Sequence, residues 1–455
     1  MFLNTLAISE KTTRTALDKE QATGVLIQDQ RGGRTENQAE LDAIKREAIL
    51  NHIKRFPAVE SHYCRANSTR IYLCEDLSFR KMHTMFCKEW THTPKPPGYD
   101  LYKSICDEQN ISIHHPKKDQ CSLSGTYLKG HENTKKHLQE RFDNHISEKT
   151  KVRQLKRDCK KDARISILCA NFDLQQVIYL PRSQDSNVFY KRRLSNFNLT
   201  FYNIANTDCQ CYLWHEGQSK RGSSEIATAV HKALKFYDEA GVKKAYLFSD
   251  GCSGQNKNSV LPAMMLNFVL NSTNMHEISL RYFVTSHGQC EGDSAHSAIN
   301  HALTRAGDVF QPIQLEPIVH GARKKPYTVN MLQYDSFLDF KSMAKDLRIL
   351  ESRDEKVDWN DIMEVQVLAK HPNTVFYKTS HNDVAFSEIN LKRLSKPAGQ
   401  FQAKQLNQQP PKIPKAKWID LVKLCTGDTP VVKLPEHKAF YMNLASTDDD
   451  NTDKL

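Results

Sequence analysis

The sequence predicts a mixed α/β protein in which one sheet is sandwiched by helices. Three strand-like runs follow one another between residues 165 and 216, and helical and strand-like segments then alternate from residue 223 to residue 306. Three antiparallel strands followed by alternating strand and helix are typical of a mixed sheet between helical layers. A helical N-terminal region is predicted before this core and a small α/β unit after it.

The helices before the core are predicted from apolar residues at helical spacing. Between residues 39 and 56, Leu41, Ile44, Ile49 and Ile53 recur every three to five positions, as on one face of a helix. Two further helices are predicted over LSFRKMHTMFCKEW and YDLYKSICDEQN. The basic stretch that follows, residues 117–164, holds fourteen Lys or Arg and seven Asp or Glu and is also predicted to be helical.

The elements of the core are predicted in chain order. The first is a buried strand over ISILCANFDLQQVIYLP, and two more strands are predicted over LSNFNLTFYNIAN and CQCYLWHE. The segment SSEIATAVHKALKFYDEAG has apolar residues on one face and a stop signal at Gly241, which predicts a helix. A strand at 245–249, a helix around 259–270, a strand over ISLRYFVTS and a helix over DSAHSAINHALTRAG complete the alternation.

These elements predict six parts of the chain. Residues 1–40 lack a sustained period and are predicted to be disordered. The other parts are a helical, basic region with potential to bind DNA at 41–164, the core at 165–330, a small α/β appendage at 331–394, a linker at 395–416 and a C-terminal segment with a polar tail at 417–455. The linker is predicted because its residues are mainly Gln, Pro and Lys.

Composition excludes some functional classes. The longest apolar stretch, near 260–270, is interrupted by Pro262 and Asn267, so a membrane protein is not predicted. The formal net charge of +11 favours polyanionic partners such as DNA. Twelve cysteines without a C-x2-C pair predict reduced intracellular thiols. We expect a nuclear protein, with the cytoplasm as the alternative.

Three carboxylates lie where the predicted topology brings them together. Asp173 lies in the first core strand, Asp250 closes the fourth, and Asp293 opens the last helix. The first and fourth strands are neighbours in a sheet of this order, so their acids can meet. Clustered carboxylates repel one another unless a divalent cation neutralises them, and their oxygens suit Mg²⁺ or Mn²⁺. We therefore predict that the three acids are catalytic and hold two Mg²⁺ ions for phosphodiester cleavage.

Each acid also has a structural interpretation. A single Asp is often a solvated or turn-forming residue, and the string SDGCSG around Asp250 is a good turn sequence. Asp293 is a suitable N-cap, although Ser294 can fill that role equally well. Glu291 precedes the same helix and is the alternative third acid. We favour Asp293 because the helix packing holds its start near the strand ends.

Two further groups of polar residues flank the acids, and their roles stay open. Four residues with amide side chains have two possible roles. They either orient a phosphate group or a water molecule, or they are turn and edge residues: Gln175, Gln176, Gln255 and Asn256. Two histidines and two glutamates either take part in the site or are surface residues: His287, His296, Glu216 and Glu225.

Several strings resemble a known family. HPKKDQC followed by FDLQQ, then SDGCSGQNKN and GQCEGDSAHSAI, occur in this order. Over about residues 40–445 the chain resembles a family of transposon-derived animal proteins that share a domain without an assigned function. The resemblance implies an RNase H-like core of the DDE transposase type, with Asp173, Asp250 and Asp293 as its acids.

The resemblance implies an activity as well as a fold. It implies a Mg²⁺-dependent DNA endonuclease and strand transferase that acts on DNA. The alternative is a catalytically inactive, domesticated transposase that binds DNA or chromatin without cutting it. A homo-oligomer is compatible with either function.

A zinc site is a further expectation, with less support. The family's C-x2-C knuckle is incomplete because Ser124 stands where the cysteine after Cys121 would be. A zinc ion would have to use Cys106, Cys121, His131 and His137, whose spacings match no standard finger. The alternative is a reduced cysteine with surface histidines.

The basic run KVRQLKRDCKKDAR has three interpretations. It is compatible with a nuclear-import signal, with a DNA contact and with a solvated helix. For the DNA contact we predict phosphate-binding roles for Lys156, Arg157, Lys160 and Lys161.

Overall fold

The computed structural model describes residues 9–18, 36–56, 71–73, 77–92, 95–113, 121–163, 166–284, 290–347, 349, 358–391, 394–427 and 429–448. These residues form two compact units, Met1–Lys118 and Asp119–Leu455.

The first unit contains short helices and one pair of strands. Its elements are α1 (Glu10–Asp18), α2 (Glu36–Lys54), β1 (Ile71–Leu73), α3 (Phe79–Glu89), α4 (Tyr99–Glu108) and β2 (Ile111–Ile113). Strands β1 and β2 pair in parallel. The predicted helices are confirmed in α2, α3 and α4, whose apolar faces bury Ile49, Met82 and Tyr102. Helix α1 and the start of α2 lie in the segment that the sequence predicts to be disordered.

The second unit contains the predicted core. Its helices are α5 (Ser122–Lys129), α6 (Glu132–Asp162), α7 (Ser186–Phe189), α8 (Ser223–Glu239), α9 (Val260–Asn271), α10 (Glu291–Ala306), α11 (Leu315–His320), α12 (Phe340–Asp346), α13 (Lys415–Cys425) and α14 (Pro435–Met442). Its strands are β3 (Ile167–Leu174), β4 (Ile178–Leu180), β5 (Leu194–Asn203), β6 (Cys209–His215), β7 (Lys244–Ser249), β8 (Glu277–Tyr282), β9 (Thr328–Met331), β10 (Glu364–Leu368), β11 (Thr374–Lys378) and β12 (Ser387–Asn390).

The ten strands form one mixed sheet. Its order is β12-β11-β10-β8-β7-β3-β5-β6-β9, with β4 paired to β5. Strand β5 is antiparallel to β3 and to β6, whereas β7 is parallel to β3 and β8 is parallel to β7. The predicted mixed sheet is confirmed, and so is the adjacency of the first and fourth core strands, β3 and β7.

Helices cover both faces of this sheet. Leu168, Ala170 and Phe172 of β3 belong to a hydrophobic cluster that also contains buried residues of α8, α9 and α12. Cys169, which points to the opposite face because side chains alternate along a strand, packs with residues of α6. Since Asp173 lies four residues after Cys169, it is on the face that α6 covers. This three-layer arrangement follows from strands that are apolar on both faces.

The appendage and linker predicted from the sequence differ from the structure. Strands β10, β11 and β12 extend the core sheet instead of forming a separate unit. In the predicted linker, Ala398 and Phe401 are 1% and 6% exposed and belong to the main hydrophobic cluster. The amide of Asn267 on α9 also donates to the Phe401 carbonyl at 2.6 Å. A few apolar residues thus hold this Gln-, Pro- and Lys-rich stretch against the core.

Two other findings concern the described part of the chain. The ten cysteines described there are not joined by disulfides. No helix among the described residues is long and apolar enough to cross a membrane.

Candidate metal centre

Asp173 is the penultimate residue of β3, at the end of the strand next to β7. It pairs in register with Thr200 of β5, so both side chains lie on the sheet face that Asp173 shares with α6. Its Oδ1 accepts a hydrogen bond from the Leu174 N–H at 2.9 Å. The side chain is 24% exposed, so this carboxylate is largely buried but still reaches the cleft that it lines.

Helix α10 brings two further polar side chains to Asp173. Asp293 and His296 lie three residues apart and therefore on one face of the helix. The helix begins at Glu291 with Cys290 as its N-cap, so Asp293 lies in the first turn and is not the cap. Gly292 permits the approach, because a Cβ built there would lie 3.5 Å from the Asp173 Cβ and 3.0 Å from the Cys290 Sγ.

Asp173, Asp293 and His296 form a group suited to a metal ion. One ligand atom from each residue lies within 4.8 Å of the others. Two carboxylates and an imidazole are ligands that divalent cations accept. The group lines a cleft of about 520 Å³, whose wall also contains Gln176 and Thr304.

His296 presents its Nδ1 nitrogen to the acids. Burial lowers its pKa to about 4, so the imidazole is neutral at physiological pH. Its Nε2 lies 3.0 Å from the Thr200 hydroxyl and its Nδ1 lies 3.8 Å from the Asp173 Oδ2. With the proton on Nε2 and donated to Thr200, the Nδ1 lone pair faces the two carboxylates. A metal-binding histidine is commonly held by such a bond from its second nitrogen.

Asp250 lies at the same edge of the sheet, directly after β7, and is exposed. It is not among the residues whose ligand atoms lie within 4.8 Å of one another. The Asn256 amide donates to its Oδ1. Although the residue as a whole is exposed, desolvation of its carboxyl group by the surrounding protein raises the pKa of Asp250, and the Asn256 amide and the Cys252 N–H oppose the shift. Asn256 therefore positions the Asp250 carboxylate, a role that differs from the two expected for this amide.

The carboxylates of the site act on one another electrostatically. Burial is the largest cause that raises the pKa of Asp173 to about 7, and the negative charges of Asp250 and Asp293 add to it. All three acids predicted from the sequence are thus close enough to interact. Their mutual repulsion is what a bound cation relieves.

Glu291, the alternative third acid, is committed to a different contact. Its Oε2 lies 2.6 Å from the Lys156 ammonium and accepts a hydrogen bond from the Asn171 amide. The Lys156 ammonium also lies over the Phe283 ring. These contacts join α6, β3 and the first turn of α10, and they leave Asp293 as the acid of this turn that faces the cleft.

The contact with Glu291 changes the role predicted for Lys156. Its side chain is only 10% exposed, so it is not placed on the solvent face to bind phosphate. Arg157, Lys160 and Lys161 are exposed on α6. The Arg157 guanidinium donates to Gln154 on its own helix at 2.7 Å. Only these three of the four predicted cations face solvent.

A network of amides supports the site, and the sequence indicated Gln175 near the acids but not its partners. Gln175 donates to the Asn300 Oδ1 at 3.1 Å and accepts from the Asn198 amide at 2.9 Å. Asn198 also donates to the Thr200 hydroxyl at 3.3 Å, which in turn contacts His296. Gln175 thus links β3 to α10 and is not a free edge residue.

The remaining candidates lie away from the acids or in turns. Both Glu216 oxygens lie 2.7 Å from the Lys417 ammonium. Glu225 accepts from the Gly222 N–H at 3.0 Å and so caps α8. Gln255 lies in the turn after Asp250, and His287 lies outside the described residues.

The four residues predicted to bind zinc lie in different surroundings. Cys106 is buried in the first unit, where burial raises the pKa of its thiol to about 11. The Cys121 Sγ lies 3.2 Å from the His145 Nε2, whereas His131 and His137 are exposed. Within the described chain, Cys121, His131 and His137 do not form a ligand group. The structure gives no support to this zinc site.

Comparisons with known proteins add no family assignment. No protein-family model matches the chain, and a search of curated proteins returned no match.

Proposed function

We propose that the protein is a metal-dependent DNA endonuclease and strand transferase of the DDE type, with an RNase H-like core of transposon origin. The observation that carries the proposal is the group formed by Asp173, Asp293 and His296, with the Asp250 charge beside it. Two carboxylates and an imidazole that line one cleft, with a third acid close enough to interact with them, are suited to hold a divalent ion.

The topology supports the fold part of the proposal. The central strands run in the order β6-β5-β3-β7-β8, with three antiparallel strands on one side and parallel strands on the other. A mixed sheet with its first and fourth strands side by side is what the sequence analysis expected for an RNase H-like core. The acids lie at the end of β3, at the end of β7 and on the helix that follows β8, which is where the DDE type requires them.

The residues of the site have distinct tasks in this proposal. Asp173 and Asp293 hold the cation, and the neutral His296 offers its Nδ1 as a third ligand. Asp250, positioned by Asn256, completes the acidic edge and can share a second ion. When bound, a divalent ion supplies Lewis-acid stabilisation of the charge that develops on a phosphodiester. The cleft beside the acids leaves room for the phosphate and its neighbouring sugars.

The donor set also bears on the choice of metal. Carboxylate oxygens suit Mg²⁺ and Mn²⁺, whereas an imidazole nitrogen favours the transition metals. We expect both ions to bind, with Mn²⁺ the tighter of the two. Calorimetry with each ion tests this order, and His296→Ala should reduce the preference for Mn²⁺.

The deciding experiment is nicking of supercoiled plasmid by the purified protein with Mg²⁺ or Mn²⁺. We expect metal-dependent nicking that Asp173→Asn and Asp250→Asn abolish while the protein stays folded. Glu216→Gln is the matched control. It removes one carboxylate charge in the same way, at a residue that pairs with Lys417 on α13. Nicking that persists in both Asn variants would reject the three acids as the catalytic group.

The second candidate function is DNA or chromatin binding without cleavage. The exposed Arg157, Lys160 and Lys161 on α6 favour it, because surface cations bind phosphates whether or not a metal is present. Binding of duplex DNA in EDTA, together with no nicking under any metal, would assign this function instead.

A further inference from the structure

A second surface on this unit combines exposed aromatic rings with cations. Phe189 and Tyr190 are 79% and 82% exposed, although large aromatic side chains are usually at least half buried. Their rings lie 5.2 Å apart, edge to face. The described elements around the rings cover little of either one, so each ring offers an open face to a partner.

The residues on either side hold this pair in place. Val188 and Leu194 are 2% and 0% exposed and pack in the cluster that α13 and α14 contribute to. Asp185 caps the turn, since its Oδ1 accepts from the Asn187 N–H at 2.8 Å. The two rings are therefore presented by an anchored segment, which lowers the entropy lost when a ligand binds.

Three cations follow the rings in the chain. Lys191, Arg192 and Arg193 follow directly, and Asp420 contacts the first two at 3.8 Å and 3.3 Å. Arg193 pairs with no carboxylate in the part of the chain that the structure describes. Its guanidinium lies 5.4 Å from the Tyr179 ring. The local charge is therefore positive, which suits an anionic partner.

The segment that precedes this surface in the chain borders the metal-centre cleft. Gln176 and Thr304 line the cleft, and β4, which carries Tyr179, begins two residues after Gln176. The Arg182 guanidinium donates to the Thr304 hydroxyl at 3.2 Å. Arg182 thus places a cation at the edge of the cleft, whereas Tyr179 pairs in register with Ser195 of β5, which lies on the sheet face opposite to Thr200 and Asp173.

We propose that Phe189 and Tyr190 form a stacking platform for unpaired DNA bases, with Arg193 on an adjacent phosphate. Aromatic rings beside cations are the way proteins bind single strands without sequence preference. The bases of a duplex stack on one another and offer no free faces, so the platform selects single-stranded or frayed DNA. This inference rests on the proposed function in one respect, namely that the bound molecule is DNA.

The test measures DNA binding in EDTA, so that no cleavage contributes. A short single-stranded oligonucleotide containing 2-aminopurine reports stacking through quenching and affinity through fluorescence anisotropy. We expect F189A/Y190A to weaken single-strand binding about tenfold or more and to remove the quenching. Duplex affinity should change less than twofold. The swap F189Y/Y190F keeps both rings and should bind like the parent.

Phe236→Ala is the matched control, because Phe236 is 55% exposed on α8. An equal loss of affinity in F189A/Y190A and in Phe236→Ala would overturn the platform. An unchanged single-strand affinity in F189A/Y190A would also overturn it. If the variant then differs from the parent in molar mass by light scattering, the rings belong to a contact between protein copies. Quenched, high-affinity binding by a parent protein that never nicks DNA would support the platform while rejecting the proposed nuclease.

Discussion

At the scale of single residues, Asp173 has a carboxyl group whose pKa lies far above its ordinary value. Its native pKa of about 7 exceeds the value of about 4 in an unfolded chain. The native state therefore holds this proton more tightly than the unfolded state does. The contribution of Asp173 to the free energy of unfolding therefore falls as the pH rises from about 4 to about 7, and it stays level above that.

Asp173→Asn removes this dependence. In EDTA we expect the variant to be more stable than the parent at pH 8, by about 2 kcal/mol after allowance for partial exposure, with a smaller gain at pH 5. Urea unfolding at a series of pH values measures it. Added Mn²⁺ should raise the stability of the parent and leave the variant unchanged. A gain independent of pH would mean that the native carboxyl titrates normally.

Lys156 and Glu291 allow a test of positioning. Lys156 holds Glu291, which lies in the same first turn of α10 as Asp293 but is not a ligand. We expect Lys156→Met to loosen this turn and to weaken Mn²⁺ binding about tenfold, the lower end of the cost of removing a direct partner of a ligand, as measured by calorimetry. The variant also leaves the Glu291 carboxylate without its cation, so stability should fall. Lys156→Arg retains the charge and is the control.

The double variant K156M/E291Q separates positioning from stability. It removes both charges, so we expect the free energy of unfolding to recover while Mn²⁺ affinity stays low. Full recovery of the affinity would show that the pair serves stability alone.

At the scale of elements, helix α6 has two functional faces. Its inner face buries Val152 and Cys159 beside Lys156, and its outer face carries the exposed cations. We expect R157A/K160A/K161A to weaken duplex binding and to reduce the slope of log K against log salt by about 2 to 3. Calorimetry should find Mn²⁺ affinity unchanged, since none of the three residues contacts the centre. An unchanged slope would mean that this face is only solvated.

The elements also show what the sequence could predict. Helical and strand periods predicted α8, α9, α10, β5 and β7 because these elements bury apolar faces. Chain order then predicted that β3 and β7 are neighbours, and with them Asp173 and Asp250. Period alone could not show that β3 stops at Leu174, because the apolar pattern continues to Leu180.

The supporting side chains of the site were harder to predict. Asn196, Asn198 and Thr200 alternate along β5 and are 1%, 1% and 0% exposed. A polar residue at every second position of an otherwise apolar strand indicates a buried hydrogen-bonding face, and this signal was present in the sequence. By contrast, the contact of Lys156 with Glu291 joins residues far apart in the chain, and no local pattern indicates it.

At the scale of the whole molecule, the candidate centre lies entirely in the second unit. Its ligands, the Lys156 contact and the amides around Gln175 all fall within Asp119–Leu455. The hydrophobic clusters on both faces of the sheet are also made of residues from this unit. A unit with its own core is expected to fold alone.

We therefore expect the fragment 119–455 to unfold in one cooperative transition and to bind Mn²⁺ within about twofold of the full chain, because a complete ligand set and its support are retained. Circular dichroism and calorimetry measure the two properties. The same fragment carrying Asp173→Asn is the control and should fold without binding the ion. A fragment that folds but binds Mn²⁺ more than about tenfold less tightly would show that residues before Asp119 shape the centre. In that case the acids at the ends of β3 and β7 would not suffice as a metal site, and the proposed catalytic core would have to include the first unit.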